Sequence, residues 1–169
     1  MNSPLMTSPT PPPMPKPQSS VIELMSGLVA PTADKIWNAV GSEETKKGTV
    51  EHKPITDKDW AELRSQVMLL AEAANLLAIP DRAVILPGQK LANPPGEGDL
   101  TTEQSQARIT AQWPAFLVYA QALQGAALAA AKSIDKRDLD AYTEAGGAID
   151  EACEQCHKTF WYPEAPTPK

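Results

Sequence analysis

Phenylalanine, tyrosine and cysteine are all scarce in this chain of 169 residues, with two, three and two copies. Alanine and leucine dominate the apolar set instead, a profile that suits packed helices better than sheets, which favour β-branched and aromatic residues. Clusters of lysine and arginine are missing as well. With a net charge of −6, the chain lacks the basic footprint that phosphate binding needs, which argues against a nucleic-acid partner. A protein partner with a basic face fits better, because complementary charge steers encounter. No apolar run approaches the roughly 20 residues that span a bilayer. There is no Ser/His/Asp arrangement, no phosphate-cradling glycine loop and no second histidine placed for acid–base work, so no enzyme chemistry is expected.

What is abundant is proline, concentrated at the start. Seven of the first 17 residues are proline, which makes residues 1–17 a polyproline tether or leader ahead of the folded domain. That stretch lacks the apolar centre of a signal peptide, so no export signal is visible. The domain is expected over residues 18–162, with a C-terminal tail at 163–169.

Four helical patterns fill the domain. The first, "VIELMSGLVAPTADKIWNAV", places Val21, Met25, Leu28, Thr32 and Ile36 on one stripe, and Pro31 should kink it rather than end it. The polar "SEETKKGTVEHKP" connects it to a helix capped by Thr56 and Asp59, whose stripe is Trp60, Leu63, Val67, Leu70, Ala74 and Leu77. A segment with four prolines and three glycines follows, from Ile79 to Leu100. It is expected to cross from one end of the molecule to the other. The third pattern carries Ile109, Trp113, Phe116, Ala120, Leu123, Ala127, Ala131 and Ile134, with Pro114 either kinking it or starting its main segment. Asp135 is the expected cap of the fourth, which runs until Pro163. These patterns predict an all-α fold, an antiparallel up-down-up-down four-helix bundle.

Both cysteines lie in the last pattern, within "CEQCH". Positions i, i+3 and i+4 share a helix face, so Cys153, Cys156 and His157 point the same way. C-x-x-C-H is the attachment signature of c-type haem. Two thiols one turn apart can add to the vinyl groups on one porphyrin edge, and the adjacent imidazole can bind iron from one side. A structural zinc site would need four ligands, with only His52 and carboxylates left to complete it. A thioredoxin-like dithiol would want a βαβ context and a helix N-terminus. Gly146, two turns before Cys153, would admit either the edge of a flat ring or a close helix.

A chain of this pattern, with "EAGGAIDEACEQCHKTFWYP" as its most specific stretch, resembles the cytochrome c-prime family and its six-coordinate low-spin relatives. The resemblance implies one covalent haem c inside the bundle, attached in a bacterial periplasm, with His157 as proximal iron ligand. Three and four positions after that histidine the family commonly carries an aromatic and then a basic residue. Here Phe160 and Trp161 hold those places, so the chain departs from the family in lacking the basic residue.

The sixth iron position decides the function expected. In low-spin members of the family the first helix supplies a methionine over the distal face, and here that residue is Met25. A thioether there raises the potential and suits electron transfer. Met68 falls near the edge of its helix's stripe, and methionine on a stripe is often simply core. The expectation is a monohaem electron-transfer cytochrome with His157 and Met25 as iron ligands. Its alternative is a five-coordinate haem protein that binds NO or CO. Trp60, Gly146 and Phe160 are candidate pocket-lining residues, and Arg64, Arg82 and Lys90 candidate propionate partners. Redox partner proteins with a basic docking face are expected, and the sequence is compatible with membrane tethering through the N-terminal tail and with a homodimer.

Overall fold

The computed structural model describes residues 15–163. Residues 1–14 of the proline-rich tether and 164–169 of the tail lie outside them. The first helical segment is α1 (Val21–Leu24), a π-helical turn (Met25–Val29) and α2 (Ala30–Trp37). A hairpin of β1 (Gly41–Thr45) and β2 (Gly48–His52) follows, then α3 (Asp57–Leu77), α4 (Thr102–Ala111), α5 (Trp113–Lys136) and α6 (Leu139–Phe160).

The expectation of a pure all-α four-helix bundle is corrected by the hairpin and by two divided helices. β1 and β2 pair antiparallel, Gly41 opposite His52 and Thr45 opposite Gly48. All ten strand residues are exposed, so neither face of the ribbon carries the alternation by which a half-buried strand announces itself. Local bonds hold it instead: Thr49 Oγ1 donates to Glu44 at 2.6 Å and Thr45 Oγ1 to the Gly48 carbonyl at 2.7 Å. Gly48 carries the positive φ of 116° that closes the turn, a value a side chain would resist.

Pro31 explains the division of the first segment. It has no N–H, and its ring crowds the carbonyl four residues back. The preceding turn widens so that the Ala30 N–H reaches the Met25 carbonyl five residues away, a π-type bond. The widened turn shifts the stripe. Leu24, Val29, Thr32, Ala33 and Ile36 are buried, while Val21, Met25 and Leu28 are only partly buried against the core. Pro114 settles near the start of α5, after a break at Gln112 (φ −120°, ψ 34°). Asp135 remains inside α5, and the cap of α6 is Asp138, which accepts from the Ala141 N–H.

The stripe of α3 is buried throughout, from Trp60 to Leu77. α5 packs between α3 and α6. It is long and apolar enough to cross a membrane by length and composition, which amends the expectation from run length. Its face of Phe116, Ala120, Leu123, Ala127 and Ala130 is buried in the core.

The long connection does not cross the molecule. It starts where α3 ends and pairs with the start of α1, Val21 N–H to the Ala83 carbonyl (2.9 Å) and Ile22 N–H to Val84 (3.2 Å). It finishes at Leu100, whose N–H donates to the Trp161 carbonyl at 2.7 Å. The loop therefore covers the end of the molecule where α1 begins and α6 stops.

Candidate haem-attachment site

Neighbouring helices run antiparallel. Arg64 on α3 bonds Asp135 on α5, and Asn75, later on α3, bonds Gln124, earlier on α5. Phe116 and Tyr119 near the start of α5 pack on Phe160 at the end of α6. A relay of bonds joins the start of α1 to the end of α6. Ile22 bonds Val84, the Val84 N–H donates to Gln106 Oε1 (2.7 Å), and Arg108 on the same helix donates to the Thr159 carbonyl (2.9 Å).

At the opposite end, α2 meets α6 directly. Tyr142 Oη donates to the Ile36 carbonyl at 2.6 Å and Trp37 Nε1 to the Gly146 carbonyl at 3.1 Å. Met25 precedes Trp37 by 12 residues and His157 follows Gly146 by 11. At about 1.5 Å per residue both lie roughly 17 Å from that contact, on helices of opposite direction. Met25 and the C-x-x-C-H stretch thus stand at the same level of the fold, on two helices whose direct bonds lie a few turns away.

The donor set suits a c-type haem. Cys153 and Cys156 are free thiols, each half-buried and packed against the core. Burial pushes Cys153 up to about 11, with Asp150 adding to it, and Cys156 up to about 12, with Cys153 adding to it. Both are held as neutral thiols. Burial lowers the pKa of His157, Glu154 opposing it, so the imidazole stays neutral at pH 7, the form that can bind a metal. From Cys153 to Thr159 every residue except Gln155 is only partly buried, so this end of α6 keeps a surface open to a further group. Among the described residues no three His, Cys, Asp or Glu side chains converge as a metal cage, which leaves a four-ligand zinc site without its donors.

The C-terminal turn folds back over His157. The N–H groups of Trp161 and Tyr162 both donate to the His157 carbonyl, at 2.8 and 3.0 Å. Their rings stand edge-on to the imidazole, centroids 5.2 and 5.8 Å away. Tyr162 Oη donates to Glu154 at 2.7 Å, one turn back along α6. Tyr162 went unread in the sequence because it lies past the helix, where spacing says nothing about direction.

The other candidates separate. Phe160 is buried between Phe116 and Tyr119, one turn from His157, and anchors α6 to α5. Gly146 lies against Trp37, whose Cδ1 would be 3.8 Å from an added Cβ. Trp60 lies one turn after Asp57, which pairs with Arg137 at the α5–α6 turn, the end of the molecule opposite His157. His52 sits on the exposed hairpin, 3.7 Å from Glu43. Met68 is partly buried against the core. Arg64 is engaged by Asp135, and the buried Arg82 by the carbonyls of Ser19 and Leu76. No family model, curated protein or solved structure matches this chain.

Proposed function

We propose that this chain is a monohaem c-type cytochrome that transfers single electrons, with Cys153 and Cys156 as the thioether anchors, His157 as the proximal ligand and Met25 as the distal one. Bound haem supplies an iron that cycles between ferrous and ferric states. The observation that carries the reading is the common level of Met25 and the C-x-x-C-H face on helices of opposite direction. Met25, where the π turn begins, is partly buried against the core rather than enclosed by it.

The chain's own residues do three things. The half-buried thiols stay protonated and packed against the core, and the helix holds them one turn apart. Trp161 and Tyr162 wall the imidazole and their backbone bonds fix the helix end that carries it. A ligand shell with few ways to rearrange keeps reorganisation small, which is what electron transfer requires.

The test is export to an oxidising compartment with haem-ligation machinery, followed by intact mass and a ferrous absorption spectrum. The expected result is a mass above the polypeptide by one haem, with sharp, split low-spin bands that collapse in Met25→Ala. A mass equal to the polypeptide and no Soret band removes the reading. Covalent haem with a broad high-spin spectrum already in the wild type would move it to the five-coordinate, NO- or CO-binding alternative.

A further inference from the structure

Two turns before Cys153, α2 and α6 enclose an apolar cleft of about 260 Å³. Ile36, Val40, Tyr142 and Trp37 line it together with Gly146, Gly147 and Asp150. Trp37 is 38% exposed although its N–H is engaged by Gly146, so the ring is held in place while remaining partly open to solvent. An added Cβ at Gly147 would meet nothing within 4 Å. The polar atoms of the lining are spent internally: Tyr142 on Ile36 and Thr143 on Leu139.

The charged residue that lines this cleft, Asp150, is acidic, and further carboxylates stand near it. Asp140 and Asp150 fall on the α6 stripe that passes through Thr143 and Gly147, Glu144 lies beside it, and Asp34 is one turn before Trp37. Among the described residues none of these four carboxylates has an ion-pair partner. A lysine or arginine side chain meets all of these features: its methylene stem suits an apolar lining, its cation the indole face, and its charge the nearby carboxylates.

We infer that the Trp37 cleft is the docking point for a lysine or arginine side chain on the basic face of a partner protein. The inference rests on the cytochrome reading for its purpose. The cleft centres about two turns before Cys153 on α6, so a partner anchored here would dock on the same helix that carries the attachment stretch.

Hexalysine is the probe, titrated into the isotope-labelled full chain in its exported, reduced state, with hexaglutamate as control. Saturable shifts of the Trp37 indole N–H and the Gly146, Gly147 and Asp150 amides are expected with hexalysine only. They should vanish at about 0.5 M salt, where screening shortens to roughly 4 Å. Trp37→Leu should weaken binding about threefold. Gly147→Leu, which fills the cleft while favouring the helix, should abolish it. Shifts spread evenly over the acidic surface, or unchanged binding in Gly147→Leu, overturn the inference. Mass and Soret absorbance decide the haem separately. Haem present with a silent cleft sinks the docking site alone, and saturable cleft shifts in a haem-free chain sink only the cytochrome reading.

Discussion

The indole N–H of Trp37 donates to the carbonyl of Gly146, 109 positions away, at 3.1 Å. With Tyr142 bonded to the Ile36 carbonyl, it locks the first helical segment to the last at one end. The other end of this pair holds Met25 and the C-x-x-C-H stretch, joined through the loop and α4. The site therefore depends on bonds made far from it.

Tyr142→Phe removes a hydroxyl that is buried with its residue 2% exposed and leaves the Ile36 carbonyl without that donor. The expected loss is about 1–2 kcal/mol, read as a lower denaturant midpoint. The low-spin bands should broaden as the α2–α6 spacing loosens. An unchanged midpoint would show that the bond does not hold the pair.

Arg82 is a buried cation with no carboxylate partner among the described residues, and burial lowers its pKa. Its guanidinium bonds the Leu76 carbonyl at the end of α3 and the Ser19 carbonyl and hydroxyl before α1. Arg82→Met strands those acceptors and should cost about 1–3 kcal/mol. Faster hydrogen exchange at Val21 and Ile22, the donors to Ala83 and Val84, is the accompanying sign.

Glu23 caps α1, the helix that leads to Met25, by accepting from the Ser20 N–H at 2.8 Å. Its pKa is lowered from 4.5, chiefly by that backbone bond, with Gln89 and the Ser20 hydroxyl assisting against desolvation. A carboxyl depressed in the folded state contributes stability above its unfolded pKa and loses it as pH falls through the folded value. Amide protection of α1 should therefore decline below about pH 4, and Glu23→Gln should flatten that dependence. A decline of equal size in Glu23→Gln would assign it to another group.

Replacing His157 by Ala should leave haem covalently attached, its increment above the variant polypeptide's mass retained, while the split low-spin bands disappear. Replacing Cys153 and Cys156 together should leave any bound haem fully extractable into acidified organic solvent. Retention of haem by that double variant would contradict thioether attachment.

Much of α3 and α5 was legible from spacing because each buries one stripe continuously, and α6 because its stripe is buried up to Ala152. The Thr56–Asp59 capping box also forms as read, Thr56 accepting from the Asp59 N–H at 3.2 Å. The first segment was less so: a stripe of strict helical period names Met25 and Leu28 as core, whereas the widened turn before Pro31 buries Leu24 and Val29. The hairpin had no signal because it buries nothing.

By itself the sequence determined most of the helical stretches, the buried faces of α3 and α5 and the clustering of two thiols and an imidazole within one helical turn, since helix geometry makes close neighbours of residues three and four apart. Only the tertiary structure decided which residues from other helices share that level, that Trp60 lies at the far end, and that the long loop stays beside the site. Those outcomes depend on helix direction and on hydrogen bonds between residues far apart in the chain, such as Val21 with Ala83 and Leu100 with Trp161, and local periodicity carries no information about either.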